Sequence, residues 1–181
     1  MTIVLRKRQD CLFGIALATV GAVLSLATEP ALSIDERRLS FYHTHTGRSL
    51  EVVYARGGEY IEPALDRIED FLSDFRTGDS RTIDPELLDL IHDLRESLES
   101  DATYEVISAY RSPATNDMLR GRSTGVAQNS QHVVGKAIDV RLQGVETERL
   151  RDAAIALKRG GVGYYEASDF VHVDTGRVRR W

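Results

Sequence analysis

The sequence predicts an α+β domain, with helices packed on one side of a small antiparallel sheet. Two patterns carry that expectation. Short runs alternate apolar and polar residues with a period of two, and between them lie longer stretches with apolar residues three and four apart. No internal repeat or low-complexity linker interrupts this order, so one layered domain around a single core accounts for it. A chain of 181 residues is long enough for such a core.

The first 33 residues stand outside that domain. Arg6, Lys7 and Arg8 make a basic start, Cys11 to Ala27 is an uncharged apolar run, and Ser25-Leu26-Ala27 or Ala31-Leu32-Ser33 offers a cleavage site. This is the grammar of a signal peptide, with an uncleaved N-terminal anchor as the alternative. The segment is the chain's only expected contact with a membrane, and residues 34–181 form the domain. Its Cys11 is the sole cysteine, so the domain forms no disulfide and relies on packing. Totals of 23 Lys+Arg and 28 Asp+Glu lose three basic and two acidic residues with this segment, leaving a net charge of −6. That balance argues against a nucleic-acid partner.

Leu39 to His45 alternates like a strand, Thr46-Gly47 turns it, and Leu50 to Tyr54 returns. Gly57-Gly58 ends this hairpin. From Pro63 to Arg76, Leu65, Ile68, Leu72 and Phe75 recur at helical spacing. Asp84-Pro85 opens a second helix as N-cap and first-turn proline, with Leu87, Ile91, Leu94 and Leu98 on its inner face. Glu59 to Asp101 holds 14 acidic and four basic residues, which reads as the solvated face of these helices.

Tyr104 to Ser108 is a strand, and Ser112-Pro113 starts a short helix to about Arg120. Arg122 to Gln131 is a polar loop. Ala137 to Leu142 is a strand, and Glu146 to Arg159 is a helix stopped by Gly160-Gly161. Gly161 to Tyr165 and Phe170 to Asp174 form a last pair of strands.

The residues that carry chemistry fall in two short segments, Ser130 to Val140 and Phe170 to Asp174. His132 and Asp139 lie seven apart, with Gly135 between them, which fits a loop ligand feeding a strand. In the second segment alternation puts His172 and Asp174 on one face, with Val171 and Val173 on the other. Two imidazoles and a carboxylate suit Zn²⁺ and leave a fourth position for water. Singly, His132 reads equally as a surface loop histidine and His172 as a satisfied core histidine. Asp139, flanked by Ile138 and Val140, is costly to bury without a cation or hydrogen bonds.

S-x-H-x-x-G-x-A-x-D followed by F-V-H-V-D resembles the zinc peptidases that cleave D-amino-acid-containing peptides of bacterial cell walls. That superfamily takes in D-Ala-D-Ala carboxypeptidases, VanX-type dipeptidases, phage endolysin peptidases and the hedgehog domain. Within it the chain is most similar to murein endopeptidases of the YcbK (MepK) type, through Leu39–Gly47, Ile107–Asn116, His132–Asp139 and Gly160–Gly176. The resemblance implies an exported, periplasmic enzyme holding one Zn²⁺ on His132, Asp139 and His172. Its substrate would be peptidoglycan stem peptides, cut at diaminopimelate–diaminopimelate cross-links. The rivals are a D-alanyl-D-alanine carboxypeptidase or dipeptidase, and a non-catalytic zinc-containing wall-binding module.

In the related carboxypeptidases a Glu three residues before the second histidine is the general base. Here Asp169 holds that place, one methylene shorter, and Asp174 is the alternative base. The other reading of Asp174 is a hydrogen bond that orients His172. The resemblance gives Arg111 the substrate carbonyl or its oxyanion, with a structural salt bridge as the alternative. Ser130 resembles a serine that contacts substrate and reads equally as a loop cap. Tyr164 and Tyr165 either wall the cleft or pack in the sheet. His43 and His45 are read as structural, and His92 as a surface residue. The oligomeric state is not legible.

Overall fold

The computed structural model describes residues 35–122 and 125–181, so the segment expected to be a leader lies outside the described residues. The chain runs β1 (Glu36–His43), β2 (Ser49–Arg56), β3 (Glu59–Tyr60), α1 (Glu62–Phe71), α2 (Pro85–Ser97), β4 (Tyr104–Ser108) and α3 (Pro113–Arg120). It continues through a 3₁₀ turn (Gln131–Val134), β5 (Ala137–Leu142), α4 (Thr147–Leu157), β6 (Gly161–Tyr165), a second 3₁₀ turn (Glu166–Ser168), β7 (Phe170–Asp174) and β8 (Arg179–Arg180). No helix among the described residues is long and apolar enough to cross a membrane.

The fold is α+β, but the sheet is larger than expected. Eight strands run in the order β3-β2-β1-β4-β5-β7-β6-β8. Two pairings, β1 with β4 and β6 with β8, are parallel. The chain passes through α1 and α2 between β2 and β4, and a crossover of that length permits a parallel neighbour. β3 and β8 have two residues each, too few to show any periodicity.

One face of the sheet is the core. Leu39, Phe41, Val52, Tyr104, Val106, Ile138, Val140, Val171 and Val173 pack there with α1, α2 and α4. Burying side chains of this size contributes roughly 1.5–3 kcal/mol each. α2 follows its expected stripe, with Leu87, Ile91 and Leu94 fully buried and Leu98 nearly so. Its N-cap Asp84 accepts from the backbone N–H of Glu86 at 3.1 Å. His92 is not a plain surface residue: it lies edge-on to Tyr54 at 6.2 Å, because Tyr54 projects from β2 beneath α2.

α1 ends at Phe71, not near Arg76. The buried Asp74 accepts from the backbone N–H of Arg76 at 3.0 Å, and from the N–H and hydroxyl of Ser112 at 2.9 and 2.8 Å. Those bonds draw the chain out of the helix and tie it to the start of α3. Phe75 then stacks on His45 instead of extending the helical stripe.

The opposite face of the sheet carries the polar residues. Asp139 on β5 stands directly across from His172 on β7, and Ala137 across from Asp174. A register shift between Val106 and Ser108 places Ser108, not Ile107, opposite Asp139.

Candidate metal centre

His132, Asp139 and His172 are all buried, and their donor atoms converge. Asp139 and His172 come from neighbouring strands. His132 comes from the 3₁₀ turn, which Ser130 caps by accepting from the backbone N–H of His132 at 3.3 Å. Gly135 closes that turn at φ 71°, and a Cβ there would lie 2.2 Å from the carbonyl oxygen of Thr82. Glycine is therefore needed both for the backbone angle and for the close approach.

Hydrogen bonds fix both imidazoles. His132 Nδ1 lies 2.6 Å from the carbonyl oxygen of Ala109. A carbonyl only accepts, so Nδ1 carries the proton and Nε2 presents a lone pair. His172 Nε2 donates to Asp174 Oδ2 at 2.9 Å, which turns Nδ1 inward. His132 Nε2, His172 Nδ1 and Asp139 Oδ1 then form a triangle with edges of 2.8, 3.1 and 3.2 Å. Metal bonds of 2.0–2.2 Å in a tetrahedral shell imply edges of about 3.4 Å, so a shift of a few tenths of an ångström seats an ion. Donor atoms at this spacing need a proton or a cation between them. The donor set of two nitrogens and one oxygen fits a borderline-soft divalent cation.

The electrostatics show the same demand. Burial opposes charge on Asp139, but His132 and His172 outweigh it and hold its pKa well below the usual carboxylate range. Burial disfavours charge on His172, yet hydrogen bonds to Asp139 and Asp174 raise its pKa. For His132 burial dominates, helped by the Arg111 guanidinium, and its pKa is lowered.

Asp174 is fully buried and its two oxygens are both taken. Oδ1 accepts from the backbone N–H of Gly161 at 3.1 Å and of Gly176 at 2.8 Å, and from Arg179 at 3.0 Å; Oδ2 accepts from Arg179 at 2.7 Å and from His172. Asp174 sits behind the His172 ring, on the side away from the triangle. Asp169 lies elsewhere. Its Oδ1 accepts from the Thr147 hydroxyl at 2.7 Å and its Oδ2 is 3.3 Å from Arg141 Nε, in a separate cleft beside Gln143 and Val145. Among the described residues, neither aspartate turns an unengaged oxygen to the triangle.

Arg111 follows β4 and reaches the centre. It donates to Asp139 Oδ2 through Nη2, and through Nε to Ser108 Oγ at 2.8 Å. Asp139 is thus a candidate ligand through one oxygen and an ion-pair partner through the other.

The triangle lies in a cleft of about 350 Å³. Ser130 lines it, as do Tyr165, Phe170, Arg179 and Trp181; Tyr164 instead packs under the Arg151 guanidinium. Three lining residues, Arg76, Arg179 and Trp181, escaped the sequence reading, and a fourth, His45, was read as structural. His45 is in the cleft whereas His43 is buried beside Phe71 and Phe75. Arg76 stands on the Phe75 ring at 4.1 Å. Trp181 lies 5.2 Å from the His172 ring and donates through Nε1 to Tyr165 Oη at 3.1 Å. Arg179 clamps Asp174 and stacks on Trp181 at 4.9 Å. The contacts that place these side chains are long-range, and only the chemical character of His and Arg marked them in the sequence.

The family described as peptidoglycan L,D-endopeptidase MepK matches residues 31–181. The peptidoglycan L,D-endopeptidase MepK of Escherichia coli (strain K12) is 38% identical over 177 residues, covering 97% of this chain and 96% of its own. The probable peptidoglycan L,D-endopeptidase MepK of Haemophilus influenzae is also 38% identical, over 180 residues, covering 97% and 95%. No solved structure matches the chain significantly.

Proposed function

The chain belongs to the peptidoglycan L,D-endopeptidase MepK family, and from that membership we propose a zinc-dependent endopeptidase that opens cross-links between peptidoglycan stem peptides. One observation carries the metal part of this reading: two buried imidazoles and a buried carboxylate bring three ligand atoms to one point. We read His132, Asp139 and His172 as ligands of one Zn²⁺, with diaminopimelate–diaminopimelate bonds as the substrate linkage. The names of the relatives support the enzyme class, and the donor set supports the ion.

A bound Zn²⁺ supplies Lewis acidity to a water and to the scissile carbonyl. Asp174 orients His172 and raises the basicity of its inward nitrogen. Arg111, anchored on Asp139 and Ser108, keeps Nη1 for the substrate carbonyl and the charge that develops on it. The proton released by water goes to His45, the cleft imidazole outside the triangle, and returns to the leaving amine. Ser130 has one hydroxyl hydrogen left for substrate after capping the turn.

Peptidoglycan as substrate places the domain outside the cytoplasm. We read residues 1–33 as the export segment, cleaved or retained as an anchor, and the periplasm as the site of action. The composition of that segment supports this, and the family match starts only at residue 31.

The test incubates purified protein with cross-linked muropeptides, with and without chelator. Loss of dimers that chelator blocks and added Zn²⁺ restores is expected, with mass spectrometry identifying the bond. A His132→Ala protein that cleaves at full rate, or active protein free of stoichiometric metal, would overturn the metal mechanism.

A further inference from the structure

The cleft is cationic in a chain whose formal net charge is −5. Arg76, Arg111 and Arg179 line it, and Asp139 is its one carboxylate among the described residues. Two of the three guanidiniums are neutralised: Arg111 is paired with Asp139, and Arg179 with Asp174. Arg76 forms no ion pair among the described residues. Its neighbour Asp74 cannot serve, since one Asp74 oxygen holds the Arg76 backbone N–H and the other holds Ser112.

This placement is built. The buried Asp74 fixes the Arg76 backbone against the start of α3, one residue after Arg111, so two guanidiniums share the cleft by construction. Phe75 supports the Arg76 guanidinium from below at 4.1 Å and stacks on His45 at 4.3 Å. A planar guanidinium laid on an aromatic face keeps its donors at the edge for a bidentate acceptor. Desolvation and the nearby Arg111 and Arg122 lower the pKa of Arg76, against the pull of Asp74. An anion seated there relieves that repulsion.

We propose that Arg76 recognises a free carboxylate of the peptide substrate, bound beside the scissile bond, and so selects acidic peptides over amidated ones. This deepens the endopeptidase reading and rests on it. A carboxylate laid against the edge of the guanidinium accepts two parallel hydrogen bonds, and the cleft holds no acid that competes for them.

The test compares wild type, Arg76→Gln and Arg76→Lys on a cross-linked muropeptide with free carboxylates and on the same muropeptide with its carboxylates amidated. In wild type, amidation is expected to raise KM about tenfold, and the effect falls in KM, not in kcat. Arg76→Gln raises KM for the acidic form by a similar factor, amidation then adds nothing, and Arg76→Lys recovers part of the loss. Equal amidation penalties in wild type and Arg76→Gln would overturn the proposal. Quenching of the single Trp181 by the acidic and amidated peptides gives binding constants without turnover. Binding that needs both Arg76 and the carboxylate, in a protein that cuts neither peptide, leaves the inference standing and removes the endopeptidase reading. Binding indifferent to Arg76 removes the inference alone.

Discussion

The indole of Trp181 occupies the space that a side chain at Gly163 would fill: a Cβ on Gly163 would lie 2.6–2.8 Å from three atoms of that ring. Gly163 is the cross-strand neighbour of His172, so the missing side chain lets the indole reach the candidate ligand. Trp181 is held there by backbone bonds, its N–H to Val162 at 3.2 Å and its carbonyl from Tyr164 at 3.1 Å. Gly163→Val is expected to expel the ring, at a cost of about 1–3 kcal/mol. As the chain has one tryptophan, its emission reports the change directly: a red shift with a lower Tm and reduced cleavage. An unshifted spectrum would show that the ring never depended on the glycine.

Asp174→Asn probes the support behind His172. An amide cannot accept from every present donor, and it orients the imidazole less firmly. Metal affinity should fall about 10- to 100-fold, read by competition with a chromophoric chelator. Stability should fall too, since Arg179 loses a buried partner. Retained affinity would place the control of His172 elsewhere.

Asp169 and His45 separate two accounts of proton transfer. Asp169 stays outside the cleft and its side chain is 63% exposed, so Asp169→Ala should keep turnover within about threefold and cost at most about 1 kcal/mol of stability. His45→Ala should lower kcat about 10²-fold. The reverse outcome would return the general base to Asp169.

Stability should fall with acid in a defined window. Burial works against the charge on Asp74, Asp89 and Asp174, but hydrogen bonds from Ser112, Thr115, Tyr54, Tyr60, His172 and Arg179 outweigh it and lower all three pKa values. The unfolded chain binds protons near pH 4 while these native carboxylates do not. Their contribution is therefore complete above about pH 4 and is lost as pH falls through the lower native values. Urea melts of metal-free protein should show a plateau that breaks near pH 4, with a shallower fall in Asp174→Asn.

The sequence read well where one local rule decides the outcome. Alternation located β4, β5, β6 and β7, and the Asp84-Pro85 cap located α2. His132, Asp139 and His172 were singled out by their residue types and spacing together with the family resemblance, and the structure brings their donor atoms together. What was missed depends on distant partners. α1 stops early because Asp74 bonds to Ser112, 38 residues on. β8 exists because Arg179 and Arg180 meet Gly161 and Val162. Arg76 and His45 reach the cleft through Phe75, whose spacing in sequence belongs to a helix that ends before it.

The irregularity between Val106 and Ser108 acts as a phase change in the sheet. Up to Val106 the odd and even positions of β4 keep their sides, and after it they exchange. A regular ladder through the same residues would set Ile107 opposite Asp139, turn Ser108 inward toward the hydrophobic layer and swing Arg111 away from the carboxylate it grips. A single supernumerary backbone unit thus decides which residues of this strand belong to packing and which to chemistry.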